Sequence, residues 1–159
     1  MPAAEKAPKA QSGANPGAFA EPFRDYNFKL LFVPDVAEGH FTQCSSIGVK
    51  VDAISYREGG NNQVVRRLPG HVEYASVTLR YGLTQSRDLW DWMQKAVTGA
   101  VERRTVHILM LGPDGNGEKL RWTLHDAWPC GWNGAPLDAM SSLVAIESLE
   151  LVYETLERQ

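Results

Sequence analysis

VKVDAISYREGGNNQVVRRLPGHVEYASVTLRYG, residues 49–82, is the stretch whose reading decides the fold. Both of its ends read as strands. In VEYASVTLRYG, Ala75, Val77, Leu79 and Tyr81 fall on one side and Ser76, Thr78 and Arg80 on the other, the period of two that marks a strand with one buried face. The middle, YREGGNNQVVRRLPG from Tyr56 to Gly70, is too polar and too rich in Gly, Asn and Pro to be a strand throughout. The sequence therefore predicts a long inter-strand loop over 57–70. Such a loop exceeds the ~4–6 residues that usually join elements. It carries Arg57, Arg66 and Arg67 against Glu58, a net of +2 in a chain whose formal net charge is −3. A long arginine-bearing loop in a small domain is either a binding device or a flexible excursion.

Working outward toward the N-terminus, FTQCSSIGVKVDAIS predicts one long or two short strands with a bulge at Gly48. RDYNFKLLFV predicts another, with Tyr26, Phe28, Leu30 and Phe32 on one face. Residues 1–22 are rich in Ala, Pro and Lys, and such a composition buries too little apolar surface to offset the entropy of ordering. A flexible tail is expected there, with a single domain over 23–159.

In the other direction, QSRDLWDWMQKAVTGA predicts one α-helix, at about residues 86–98. Ser86 suits the N-cap, Asp88 complements the helix dipole, and Gly99 suits a left-handed end. Leu89, Trp92, Met93 and Ala96 recur at helical spacing and form the expected buried stripe, with Trp90 off it. RRTVHILML and GEKLRWTLHDAW, joined by GPDGNG, predict a hairpin. Leu120, Trp122 and Leu124 should face inward, and Lys119, Arg121, Thr123 and His125 outward. WPCGWNGAPLDAMSS, with two prolines and two glycines, should be irregular. LVAIESLELVYETLER should close the chain as a strand with Leu149, Leu151 and Tyr153 on one face and a bulge near Glu147. Six or seven strands interrupted by one helix disfavour parallel βαβ winding. The expected fold is mainly β, an antiparallel β-sandwich or partly open β-barrel with the helix over one end or edge.

Composition bounds the function. A chain of 159 residues with 43% hydrophobic and 22% charged residues fits one globular domain. A pI near 5.8 gives no reason to expect nucleic-acid binding. No signal peptide is visible, and no apolar run approaches the ~20 residues of a membrane helix. Synthesis in the cytoplasm, without membrane insertion, is expected. Cys44 and Cys130 form no CxxC pair and read as reduced thiols. His40, His71, His107 and His125 show no metal-ligand spacing, although His107 and His125 could face each other across the hairpin. No GxSxG elbow occurs, and GPDGNGEK has Glu118 where a phosphate loop needs lysine. Neither an enzyme nor a cofactor or metal is expected. Trp122, Trp128 and Trp132 either plug the open end of the sandwich or build a platform for a small ligand or sugar in a stand-alone binding module.

The order of the motifs carries a resemblance. YNFKLLF, then YREGG, RRLPG, LRYGLTQSRDLWDWMQ and WTLHDAWPCGWNGAPLDAMSSLVAIESLELVYE together resemble the inner tail tube proteins of contractile phage tails and phage-tail-like contractile injection systems, over Tyr26 to Glu154. That family is similar to the tube protein of type VI secretion. The resemblance implies hexameric rings stacked into a hollow tube that a contracting sheath drives into a target. It implies partners: further copies of the chain, a surrounding sheath protein, baseplate or spike and tube-terminating proteins, and luminal effector cargo. It places the work inside an extracellular, virion or intracellular particle assembled in the cytoplasm. Carried onto this chain, the reach to a neighbouring ring falls on Tyr56, Arg57, Glu58, Gly59, Gly60, Arg66, Arg67, Leu68, Pro69 and Gly70. A wet lumen needs polar faces, for which Ser76, Thr78 and Arg80, and Lys119, Arg121, Thr123 and His125, are the candidates.

Overall fold

The computed structural model describes residues 25–34, 41–45, 47–57, 59–60, 65–83 and 85–159. In chain order these form β1 (Phe28–Val33), β2 (Phe41–Cys44), β3 (Val49–Tyr56), β4 (Arg66–Tyr74), β5 (Val77–Gly82), α1 (Asp88–Val97), β6 (Arg104–Leu111), β7 (Glu118–Asn133), β8 (Ile146–Val152) and β9 (Thr155–Arg158). All strand pairs are antiparallel. Seven strands make one sheet in the order β1-β6-β7-β8-β5-β2, with β9 also on β7, while β3 and β4 pair only with each other. The sheet does not close into a barrel. The expected mainly β, antiparallel architecture with one helix holds.

β7 organises the sheet. At 16 residues it is long enough to serve two halves. Its first part pairs with β6 on one side and, at Trp122–His125, with β9 on the other; its last part, Trp128–Asn133, pairs with β8. Between the two parts Asp126 takes a positive φ of 53°, and the register slips between Pro129 and Gly131. Such irregularities bend a strand and sharpen its twist, so the halves turn toward each other. Leu30 and Phe32 of β1, Val106 of β6 and Leu124 of β7 then share one buried cluster with Val77 and Leu79 of β5 and Leu149 and Leu151 of β8. Phe32 of one half meets Phe41 of the other at 5.8 Å between ring centroids.

Trp92 is the one fully buried residue of the helix among those described. It sits edge-on to Phe32 at 5.9 Å and donates its indole N–H to the Glu102 carbonyl at 2.8 Å. Arg104, itself buried, lays its guanidinium 4.9 Å from the Trp92 ring and donates to Glu102 Oε1 at 2.8 Å. A buried cation is tolerated because it is paired and hydrogen-bonded. Leu89, Met93 and Ala96 are half-buried beside Trp92, so the expected stripe is present. Gly99 has φ of 84°, consistent with a left-handed end.

Several expectations are corrected. Ser86 does not cap the helix: Arg87 is the N-cap and lacks a side-chain cap bond, while Ser86 donates its hydroxyl to Asp88 at 3.0 Å. WPCGW is strand, not irregular chain; the irregular part is 134–145. Pro129 fits because it stands at the bulge and this part of β7 pairs on one side only, with β8. Gly48 lies between β2 and β3 rather than within a strand, and VEYASVTLRYG is divided at Ala75 and Ser76 between β4 and β5. β8 keeps register with β5 through Glu147, and the interruption falls instead at Tyr153 and Glu154, where Glu154 N–H donates to the His125 carbonyl at 3.0 Å. The expected tail, residues 1–22, lies outside the described residues.

Candidate assembly surfaces

The loop expected over 57–70 is mostly a hairpin. β3 runs to Tyr56 and β4 begins at Arg66, so Arg66, Arg67, Leu68, Pro69 and Gly70 are strand residues. Tyr56 closes β3, Arg57 follows it, and Gly59 and Gly60 form a turn in which Gly60 has φ of 96°. Glu58 and residues 61–64 lie outside the described residues. Pro69 lacks a donor, which costs little in a ribbon whose outer edge pairs with no strand. Gly70 is needed for space, since a Cβ there would stand 3.0 Å from the Asp52 carbonyl and from Ile54 Cγ1.

The hairpin leaves apolar side chains uncovered on both faces. Cross-strand partners share a face. Val49 with Tyr74 and Val51 with Val72 line one, and Ile54 with Leu68 and Tyr56 with Arg66 line the other. β4 carries an extra residue between these groups, so the alternation along β3 sends them to opposite sides. Val49, Val51, Ile54, Tyr56, Leu68 and Val72 are each about half exposed, at 48–55%. The base is anchored: Tyr74 packs on Tyr153 at 5.6 Å, and Ala75 N–H donates to the Gly48 carbonyl at 2.9 Å.

The two candidate polar faces lie on different halves of the sheet. Because Val77, Leu79 and Tyr81 are buried, Ser76, Thr78 and Arg80 point away from the core. Register continues that face across β8 and β7: Thr78 stands opposite Glu150 and Arg80 opposite Ser148, and these in turn oppose Gly131 and Asn133. On the other side Arg80 faces Gln43 of β2. Ser76 donates to Glu150 Oε1 at 2.5 Å and Asn133 to Ser148 Oγ at 3.5 Å. None of these side chains is large and apolar, but the same face carries Ile146 opposite Gly82 at one end and Val152 opposite Trp128 at the other.

Lys119, Arg121, Thr123 and His125 instead lie on the first part of β7. Lys119 is exposed, and Arg121 makes a two-pronged contact with Glu118 at 2.6 and 2.7 Å that holds the glutamate below its usual range. His125 stands 3.4 Å from Glu157. Thr123 does not face solvent as expected: it is buried, with its hydroxyl 3.0 Å from His107 Nδ1, under the cover of flanking β6 and β9. His107 stands opposite Thr123, not His125. Burial first, then the Arg121 charge, lowers the His107 pKa. Leu109, also on this face by alternation from Ile108, makes it less polar than the other. Among the described residues no group of three His, Cys, Asp or Glu could hold a metal ion. No described helix is long and apolar enough to cross a membrane. Trp122 and Trp132 pack against the core, and Trp132 also meets Trp90 at 4.6 Å, so these indoles serve packing rather than an open platform.

A further surface escaped the sequence reading. The segment 134–145 between β7 and β8 exposes Leu137, Met140, Leu143 and Val144 to 76–94%. With Ile146 it forms an open concavity of about 850 Å³. Its signal was present as apolar residues without period inside a Pro- and Ser-containing stretch, which neither a strand nor a helix would bury. It is tied to the end of β5 by the Leu83 N–H bond to the Ala145 carbonyl, 2.9 Å.

Comparison with known proteins gives a consistent picture. The family described as T4-like virus tail tube protein gp19 matches residues 24–157. A chain in the cryo-EM structure of the anti-feeding prophage baseplate is 25% identical, with a TM-score of 0.80 over 89% of this chain and 97% of that one. A chain in the extended sheath–tube complex of the extracellular contractile injection system PVC is 24% identical, with a TM-score of 0.78 over 87% and 91%. Hcp1 from Flavobacterium johnsoniae is 14% identical, with a TM-score of 0.51 over 82% and 93%. These last two likenesses concern the fold alone. No curated protein matches the sequence.

Proposed function

The chain belongs to the T4-like virus tail tube protein family, and from that premise we propose that six copies close into a ring and that rings stack into the hollow inner tube of a contractile injection particle. The chain is a structural tube subunit of such phage-tail-like systems and not an enzyme. The observation that carries the ring is the half-sheet β7-β8-β5-β2. Its outer face is polar in the middle, at Thr78, Arg80, Ser148, Glu150 and Asn133, with Ile146 at one end and Val152 and Trp128 at the other. Among the described residues its two bounding strands, β2 and the Trp128–Asn133 part of β7, pair on one side only. Open edges are an aggregation hazard unless something pairs them. Two unlike edges on one chain suit head-to-tail association, which closes into a ring where the rotation permits.

In this reading the half-sheets of neighbours join edge to edge around the lumen. The wall then carries Ser76, Thr78 and Arg80 with Ser148, Glu150 and Asn133. Lys119, Arg121 and His125 stand on the other half and outside the channel. The β3–β4 hairpin, through Tyr56, Arg57, Gly59, Gly60 and Arg66 to Gly70 together with Glu58, reaches a neighbouring ring. A sheath surrounds the tube, baseplate or spike and terminating proteins close its ends, and cargo travels in the lumen. Structures of similar chains come from a baseplate and a tube-terminating cap, which supports that set of partners. Native mass spectrometry of the full chain should show six times the 17.6 kDa mass, and negative-stain microscopy should show rings or tubes. A monomer at every concentration would overturn the proposal.

A further inference from the structure

We infer that the apolar segment 134–145 is the acceptor for the β3–β4 hairpin of a second copy of this chain, an inference that rests on the stacked-tube reading above. The first ground is placement. The hairpin leads directly into the start of β5 at Val77, whereas the segment enters β8 at Ile146, which pairs with Gly82, the last residue of β5. The two surfaces therefore lie at opposite ends of one strand of six residues, about 20 Å apart at ~3.3 Å per residue. A copy displaced along that strand brings its hairpin toward the segment of the next. Unlike surfaces at opposite ends generate an open-ended stack rather than a closed pair.

The second ground is chemistry. The far part of the hairpin presents Ile54, Tyr56 and Leu68, each about half exposed. The segment presents Leu137, Met140 and Leu143 at 84–94% exposure and with Ile146 forms an open concavity of about 850 Å³, room for several side chains. Exposed apolar patches of this kind mark interaction sites. The third ground is charge. Residues 54–68 carry three arginines and one glutamate, a net of +2; segment 134–145 carries Asp138 and no lysine or arginine, a net of −1. Opposite patches steer encounter and suppress wrong pairings. A second copy supplies the apolar side chains and the charge the segment lacks.

The test is photocrosslinking in tubes assembled from the full chain, with benzophenone-alanine in place of Leu68. Adducts should map to the peptide containing residues 134–147 of another copy. Adducts confined to any other part of the chain, or to a sheath or cap protein, overturn the inference. Leu143→Lys, which removes the apolar side chain and adds like charge, gives an independent reading, because a residue 86% exposed can change without disturbing the fold. It should raise the critical concentration for stacking at least about tenfold and leave the thermal melt in place; an unchanged threshold overturns the inference. Arg67→Glu should weaken stacking, and Asp138→Arg added to it should restore part of the loss. Wild-type tubes are the control. If they form and the adducts lie elsewhere, only the acceptor is wrong. If they never form, the stacked-tube reading itself fails.

Discussion

Replacing Ile54 and Leu68 together by threonine should raise the threshold for tube growth while leaving the subunit folded. The two side chains face each other across β3 and β4 and are 52% and 48% exposed. Complete burial of such a side chain is worth ~1.5–3 kcal/mol. About half of that, roughly 1 kcal/mol each, is thus still to be gained on docking. The pair contributes about 2 kcal/mol per docked hairpin, or ~30-fold in association. Threonine is chosen because a β-branched residue keeps the strand propensity while removing apolar surface. Neither side chain belongs to the buried core, so far-UV circular dichroism and the melting temperature should stay near wild type. Pelleting across a dilution series would give the critical concentration for assembly. A threshold indistinguishable from wild type would refute the assignment of the hairpin as a docking device, whatever the micrographs look like.

Three other outcomes follow from the structure. Trp92→Ala removes the buried ring that meets Phe32 and Arg104, so unfolding in urea should lose about 3–5 kcal/mol; a loss under ~1 kcal/mol would mean the helix is fastened elsewhere. The Glu102 carboxyl is held below its usual range by hydrogen bonds from Lys95 first and Arg104 second. A depressed carboxylate gives stability that is complete above its unfolded pKa and lost as pH falls through the folded one, so the urea midpoint should drop below about pH 4, less so in Glu102→Gln. An equal drop in both proteins would remove Glu102 from the explanation. With Cys44 and Cys130 replaced by serine, Thr78→Cys in assembled tubes should react with a small maleimide and resist a bulky one, whereas Lys119→Cys should accept either; equal bulky labelling at both positions would contradict the assigned wall.

Much of the fold was legible in the residues, for identifiable reasons. Val77, Leu79 and Tyr81, and Leu149, Leu151 and Tyr153, are buried as their alternation implies, because each strand has one covered face. The helical stripe around Trp92 was equally plain, since helical spacing repeats over three turns. Misreadings clustered where backbone special cases override composition. Pro69 and Gly70 argued for loop, yet a two-stranded ribbon with an unpaired edge accommodates both. Pro129 and Gly131 argued against strand, yet they stand where β7 slips register. Thr123 was read as outward by alternation alone. Its burial depends on β9, a strand some thirty residues later that pairs beside it. The candidate site was half legible: the arginines and the polar faces were found, but segment 134–145 was dismissed as irregular because exposed apolar side chains there follow no period.

A ribbon of two strands is only marginally stable in water by itself, and among the described residues β3 and β4 pair with no third strand. In the proposed stack of hexamers this weakness would set the timing of growth more than the strength of the wall. One hairpin meeting one neighbour would gain only a few kcal/mol against the freedom lost on association. Six meeting six acceptors held at fixed spacing act as a multivalent contact whose later engagements are nearly intramolecular. Spontaneous nucleation is slow on that arithmetic, and elongation from a preformed six-fold platform is fast. Above the threshold concentration unaided tubes would still appear, after a lag that a preformed platform removes.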